Sequence, residues 1–194
     1  MDIIKNNIAN TLTILRMLLL PLMVLFFFLE GTYGSVVIFL CFFTYAFAAI
    51  TDFFDGYYAR KLNQISELGT FLDPISDKVF VATLLIMLVG FDRISGPWVI
   101  LVMLIFAREF LVSGIREYLG PKNIKVPVSQ MAKVKTTVQM VAIGFLILSG
   151  YSPYAHELGL MLLALATILT LITGMSYLSI GLKHMTKQPE TNES

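Results

Sequence analysis

The sequence predicts an all-α fold, a polytopic membrane helical bundle with about six transmembrane helices. Of its 194 residues, 57% are hydrophobic and only 14% are charged, whereas soluble domains carry about 45–50% apolar and about 25% charged residues. Apolar runs approaching the roughly 20 residues needed to cross a bilayer recur along the chain with short connections. We therefore expect one membrane domain over residues 1–185, followed by a polar tail over 186–194.

Six apolar segments are the candidate spans, each expected to form one helix. In chain order they cover residues 11–29, 35–59, 72–90, 96–118, 134–150 and 156–181, with approximate ends. The third helix is expected to start near Asp73, which places Pro74 in the first turn, where its missing N–H is not needed. The short connection between the second and third spans predicts a helical hairpin.

The basic residues predict how the bundle is oriented. If the N-terminus is cytosolic and the spans alternate in direction, all of the 14 lysines and arginines except Arg93 fall on the cytosolic side. Cytoplasmic ends of membrane proteins carry such an excess of positive charge. Both termini are therefore expected to face the cytosol.

Four aspartates interrupt the apolar pattern at the cytosolic ends of the second and third spans. Asp52 and Asp55 are three residues apart, and Asp73 and Asp77 are four apart, so each pair shares one helical face. Ionised carboxylates gathered beside a low-dielectric region must be protonated, paired with cations or bound to metal. Hard oxygen ligands favour Mg²⁺ or Mn²⁺, and this arrangement predicts a two-metal site. The alternative is that neighbouring lysines and arginines form ordinary salt bridges with them.

Arg16 is a further charged residue of interest because it lies about one turn inside the first predicted span. One interpretation is a side chain that extends along the helix to reach the membrane surface. The other is a buried cation that pairs with the aspartate cluster. The sequence leaves both open.

The aspartates belong to a longer pattern. It reads Asp52-x-x-Asp55-Gly56-x-x-Ala59-Arg60, eight residues, then Gly69-x-x-x-Asp73-x-x-x-Asp77. This pattern resembles the signature of the CDP-alcohol phosphotransferase family. The resemblance implies an enzyme that uses Mg²⁺ or Mn²⁺, with two ions expected, while an acceptor hydroxyl displaces CMP from a CDP-linked lipid.

The resemblance also assigns roles to individual residues. The metal ligands would be Asp52, Asp55, Asp73 and Asp77, and Asp77 would also be the general base that deprotonates the acceptor. The residues expected against the CDP-lipid are Thr51, Gly56, Ala59, Arg60 and Gly69. No Ser, Cys or His is placed as an obvious covalent nucleophile, which favours direct attack by the acceptor.

Basic residues at the cytosolic ends of the fourth and fifth spans suggest the acceptor. The candidates are Arg108, Arg116, Lys133 and Lys135. Such a cluster suits an anionic acceptor, because Arg offers a forked donor to phosphate. The alternative is the ordinary cytosolic excess of cations, which is least convincing for Arg108, since a charge deep in an apolar run needs a partner. Glu109 is the candidate partner.

These segments, together with the opening stretch from Asn7 to Arg16, resemble the branch of the family that makes phosphatidylglycerophosphate from CDP-diacylglycerol and glycerol 3-phosphate. The resemblance implies a multi-pass protein of the bacterial cytoplasmic membrane, surrounded by membrane lipids and forming a homodimer. It implies no nucleic-acid partner.

Three alternatives stay open at the level of sequence. Another acceptor, such as serine, inositol phosphate or phosphatidylglycerol, would keep the chemistry and change the product. A membrane prenyltransferase would need a second aspartate-rich motif, which the chain lacks. A divalent-cation transporter would carry its carboxylates near the middle of the membrane between related halves, whereas these gather at the cytosolic end.

Overall fold

The computed structural model describes the backbone of residues 2–62, 67–120 and 130–186. Within these ranges it describes the side chains of residues 14–51, 72, 74–120 and 130–185. The elements are α1 (Asp2–Tyr33), α2 (Ser35–Leu62), α3 (Glu67–Gly90), a 3₁₀ turn (Gly96–Trp98), α4 (Val99–Leu119), α5 (Gln130–Leu148) and α6 (Pro153–Thr186). These ranges contain no strand.

Four of these helices carry stretches long and apolar enough to cross a membrane. The stretches are Ile14–Tyr33, Gly96–Leu119, Gln130–Leu148 and Pro153–Met185. Helix α2 contributes a shorter apolar segment, Ser35–Thr51. The predicted all-α membrane bundle is confirmed.

The two largest differences from the predicted helix starts are in α1 and α3. Helix α1 begins at Asp2 rather than near residue 11. Helix α3 begins at Glu67, so Pro74 lies inside the helix and not in its first turn as predicted. A proline in a helix removes one N–H and crowds the preceding turn, but a helix in a membrane bundle tolerates this because its neighbours compensate. The proline therefore did not mark the start of α3.

The helices pack around one apolar core. Helix α6 packs against α4 and α5, α1 packs against α2 and α3, and α2 also contacts α5. The fully buried side chains at the centre include Met23, Leu84, Leu88, Ile105, Ile143 and Leu163. Large apolar side chains such as Phe28, Phe110 and Met175 are exposed on the outside of the bundle. This outer surface suits lipid, because exposed apolar area of such extent is rare in water-soluble monomers.

Arg93 follows the C-terminal end of α3, which is the end distant from Asp77. Its buried side chain links three helices. Arg93 donates through Nη2 to Glu30 near the end of α1. Its Nη1 donates to the Ile147 carbonyl at 3.2 Å and to Ser149 Oγ at 3.1 Å, both at the end of α5. The one basic residue predicted on the outer side is thus a buried, paired charge.

Gly150→Ala is expected to destabilise this end of the bundle. A Cβ at position 150 would lie 1.9 Å from Nη2 of Arg93, so the guanidinium must shift and its contacts are weakened. Complete loss of a buried charge pair costs about 3–5 kcal/mol, and partial loss should lower the melting temperature in detergent by a smaller, measurable amount. Gly90→Ala is the matched control, because a Cβ at Gly90 meets nothing within 4 Å. Equal melting temperatures for the two variants would show that the contacts of Arg93 do not stabilise this end of the bundle.

Candidate active site

Asp77 on α3 forms an ion pair with Arg16 on α1. Nη1 of Arg16 donates to Oδ1 of Asp77. The Arg16 side chain is 8% exposed and the Asp77 side chain is 57% exposed. A guanidinium buried in an apolar helix needs such a partner, and the interpretation of Arg16 as a partner of the acidic cluster is the one the structure supports. The Asp77 side chain is thus more exposed than buried, in contrast to its partner.

The other aspartates of the motif lie on helical backbone whose side chains are outside the described part of the structure. Positions 52 and 55 lie on α2, and position 73 lies on α3. The same holds for the predicted CDP-lipid residues Gly56, Ala59, Arg60 and Gly69. Among the side chains that are described, no group of three or more His, Cys, Asp or Glu residues is placed to hold a metal ion.

The register of α2 against α3 can nevertheless be read from a buried aromatic pair. The rings of Tyr45 and Phe80 stack with centroids 6.0 Å apart and an angle of 9° between planes. The two helices are joined by four residues, a length typical of an antiparallel helical hairpin. Position 52 is seven residues after Tyr45 and position 73 is seven residues before Phe80. Seven residues are nearly two helical turns, so in an antiparallel hairpin we expect positions 52 and 73 to lie at the same level.

Thr51, the remaining residue predicted against the CDP-lipid, is described. Its Oγ1 donates to the Phe47 carbonyl of its own helix at 2.7 Å. The hydroxyl hydrogen is therefore used within α2, and the lone pairs of the oxygen are left to accept a hydrogen bond.

A second group of charges is buried between α4 and α5. Glu109 accepts from Nη1 of Arg108 at 2.9 Å and from Nζ of Lys135 at 2.5 Å. The residues Arg108 and Lys135 are 8% and 6% exposed. The predicted pairing of Arg108 with Glu109 is confirmed, and the carboxylate also neutralises Lys135.

Helix α6 holds Arg108 from the other side. Nε of Arg108 donates to the Thr170 carbonyl at 3.2 Å, and Nη2 donates to Thr173 Oγ1 at 3.1 Å. Gly174 leaves room for the arginine stem, because a Cβ there would lie 2.7 Å from Cγ of Arg108. The arginine is thus fixed by two backbone or hydroxyl acceptors and one carboxylate.

Arg116 joins the group through Tyr177. Nη2 of Arg116 donates to the tyrosine hydroxyl at 3.0 Å. Cζ of Arg116 lies 5.1 Å from the ring centroid, and Cζ of Arg108 lies 5.7 Å from it. Lys133 is exposed and, two residues from Lys135, lies on nearly the opposite face of α5. The described contacts thus unite three of the four predicted cations, and we call Arg108, Glu109, Arg116 and Lys135 the basic cluster.

A polar contact links the acidic helix α3 to the basic cluster. Lys78, which follows Asp77, donates to the hydroxyl of Ser113 on α4. Ser113 in turn donates to the Glu109 carbonyl at 2.7 Å. The Asp77 carboxylate and the basic cluster therefore belong to neighbouring parts of one region of the bundle.

Sequence reasoning missed the contribution of α6. Thr170, Thr173, Gly174 and Tyr177 contact the predicted arginines, yet this helix had been interpreted only as apolar. The spacing Thr-x-x-Thr-Gly-x-x-Tyr puts these residues on one helical face, and that face is the signal that was available.

Comparison with known proteins agrees with the motif. A family model described as CDP-alcohol phosphatidyltransferase matches residues 6–172. A relative from Rickettsia felis is 42% identical over 177 residues, which cover 90% of this chain and 94% of the relative. Relatives from Cereibacter sphaeroides and Shigella flexneri serotype 5b are 37% and 38% identical, with 92% and 89% of this chain and 97% and 93% of the relatives covered. All three are named CDP-diacylglycerol--glycerol-3-phosphate 3-phosphatidyltransferase. The chain belongs to the CDP-alcohol phosphatidyltransferase family.

Proposed function

We propose that the protein transfers the phosphatidyl group of CDP-diacylglycerol to glycerol 3-phosphate, giving phosphatidylglycerophosphate and CMP. The observation that carries the choice of acceptor is the basic cluster. It contains three cations and one carboxylate, which pairs with Arg108 and Lys135, so it holds two positive charges in excess. A phosphate monoester near neutral pH carries a charge of about −1.5 to −2. The names of the relatives support the same acceptor.

Members of the family generally use divalent metal ions. We propose two ions, Mg²⁺ or Mn²⁺, held by Asp52, Asp55, Asp73 and Asp77. Two features of the chain support them: the Asp77 side chain is more than half exposed, and positions 52 and 73 are each seven residues from one ring of the stacked pair Tyr45 and Phe80. Bound there, the ions would neutralise the pyrophosphate and the charge that develops during transfer.

The chain's own residues supply the proton transfer and the positioning. Asp77 takes the proton from the acceptor hydroxyl, whose oxygen then attacks the phosphorus that carries diacylglycerol. The bond from that phosphorus to the oxygen of CMP breaks, and CMP leaves. Arg16 orients the Asp77 carboxylate through their ion pair. The basic cluster holds the phosphate of the acceptor, and Thr51, Gly56, Ala59, Arg60 and Gly69 are proposed to lie against the CDP-lipid.

The chain is embedded in a membrane through its apolar helices. We further propose the bacterial cytoplasmic membrane, with both termini and the site facing the cytosol, because the basic residues gather at that end. One membrane domain over residues 1–185 and a homodimer are part of the same proposal.

Transfer assays with the purified protein in lipid vesicles test this function. CMP release from CDP-diacylglycerol should require a divalent metal and glycerol 3-phosphate together, and phosphatidylglycerophosphate should form. Serine, inositol phosphate and phosphatidylglycerol are the competing acceptors. Faster release with any of these would identify a different acceptor, and no release with any alcohol would favour the cation-transporter alternative.

Gly174→Ala is expected to impair acceptor use. The added Cβ must push the Arg108 stem away from Thr170 and Thr173. Loss of hydrogen bonds from a charged group costs about 1.5–3 kcal/mol each, so KM for glycerol 3-phosphate should rise at least about tenfold.

Gly181→Ala is the matched control for this variant. Its Cβ would lie 2.9 Å from Cγ2 of Ile115, so it disturbs the same pair of helices without touching an arginine. Both variants should lose stability by about 1–3 kcal/mol through overpacking, but Gly181→Ala should keep the parent KM for the acceptor. Equal KM values in the two variants would show that Arg108 is not held as described.

A further inference from the structure

Tyr177 is a buried tyrosine that the transfer chemistry itself does not use. It lies on α6 and is 3% exposed. The aspartate motif does not include it. Its surroundings are nevertheless unusual for a core residue, because two guanidinium groups lie within 6 Å of its ring centroid.

Arg116 depends on Tyr177 for two kinds of contact. The hydroxyl oxygen accepts from Nη2 at 3.0 Å, and Cζ lies 5.1 Å from the ring centroid. An arginine side chain loses much rotamer entropy when it is held in one geometry. If Tyr177 already holds the Arg116 side chain in this geometry, the side chain loses little further entropy when the ligand binds.

Arg108 and Arg116 also repel each other, and Tyr177 offsets that repulsion. Cζ of Arg108 lies 5.7 Å from the same ring centroid. The face of an aromatic ring is negative and attracts cations, so the ring lets two like charges stay close before an anion arrives. Glu109 compensates Arg108 and Lys135, while the described contacts of Arg116 run to Tyr177.

We propose that Tyr177 is a positioning residue that sets the affinity for the acceptor's phosphate by fixing the guanidinium of Arg116. This rests on the proposed function, which supplies glycerol 3-phosphate as the ligand. The hydroxyl orients the guanidinium of Arg116, and the ring offsets the repulsion between Arg116 and Arg108. Tyr177 itself is not proposed to touch the lipid donor or the reacting atoms.

The first test measures binding of glycerol 3-phosphate to the detergent-solubilised full chain by titration calorimetry. Tyr177→Phe keeps the shape and the ring but removes the hydroxyl, and should weaken binding about tenfold, the effect of one hydrogen bond to a charged group. Affinity for CDP-diacylglycerol should stay within about twofold, because uniform damage to the fold would lower both. Tyr177→Leu removes the ring as well and should weaken acceptor binding further.

Tyr45→Phe is the matched control for a lost buried hydroxyl. The Tyr45 hydroxyl donates to the Met140 carbonyl at 2.6 Å, away from the basic cluster. This variant should lose stability and keep the parent affinity for glycerol 3-phosphate. An equal loss of acceptor affinity in both phenylalanine variants would reduce Tyr177 to a packing residue and overturn the proposal.

A double-mutant cycle separates action through Arg116 from independent action. If Tyr177 works by fixing Arg116, adding Tyr177→Phe to Arg116→Ala should change acceptor affinity by less than about twofold, since coupled residues are non-additive. Fully additive effects would refute the positioning role. A parent protein that binds glycerol 3-phosphate but forms no phosphatidylglycerophosphate would instead refute the proposed function and leave the binding comparison intact.

Discussion

Asp77→Asn is expected to lower the turnover number by at least about 100-fold, the usual contribution of a positioned general base. Asparagine has nearly the same shape and can still accept a hydrogen bond from Arg16, but it cannot take a proton from the acceptor hydroxyl. The reaction would then rely on water as the base. Binding of CDP-diacylglycerol and of the divalent ion should be retained, because three further aspartates are proposed to hold the metals.

The measurement is single-turnover CMP release at saturating substrates, together with metal binding and a melting curve. The melting temperature should fall only modestly, because Arg16, whose side chain is 8% exposed, loses a carboxylate partner but keeps an amide oxygen that accepts its hydrogen bond. Asp92→Asn is the control at the other end of α3. Asp92 is exposed and has a φ of 56°, a conformation that asparagine tolerates well. Near-normal turnover of Asp77→Asn would remove Asp77 from the role of base.

The sequence predicted the fold well because the bilayer imposes strong rules. The length of an apolar segment predicts a membrane helix, and an excess of basic residues predicts the cytosolic end. Both signals depend on composition and not on the exact residue at each position. Pro74 was misleading because a membrane bundle tolerates a proline inside a helix, and here α3 continues through it. Local sequence patterns therefore predicted which segments are helical but not where each helix begins.

The candidate site was predictable only in part, because contacts between residues far apart in the sequence depend on how the helices pack. Glu109 was predicted as the partner of Arg108 because the two are adjacent. Lys133 and Lys135 could not be separated, because a choice between them needs the rotation of α5 about its axis. Tyr177 is 61 residues from Arg116, and a single sequence gives no indication of which faces of α4 and α6 meet.

Arg116→Ala is expected to raise KM for glycerol 3-phosphate by about tenfold or more, because a hydrogen bond to a charged group contributes about 1.5–3 kcal/mol. KM for CDP-diacylglycerol should stay within about twofold of the parent value. Arginine binds phosphate through paired, charge-assisted hydrogen bonds, and alanine leaves the cluster with a smaller excess of positive charge. The turnover number at saturating acceptor should fall less than KM rises, since this contact binds the acceptor before and during transfer.

Lys183→Ala is the control for a general loss of positive charge at this end of the bundle. Lys183 is an exposed cation in the last turn of α6, and it lies outside the basic cluster. If Arg116 only raised the local concentration of anions, both variants should weaken the acceptor similarly and lose their effect in high salt. A large effect confined to Arg116→Ala identifies a specific phosphate contact, whereas equal changes in KM for donor and acceptor would argue against one.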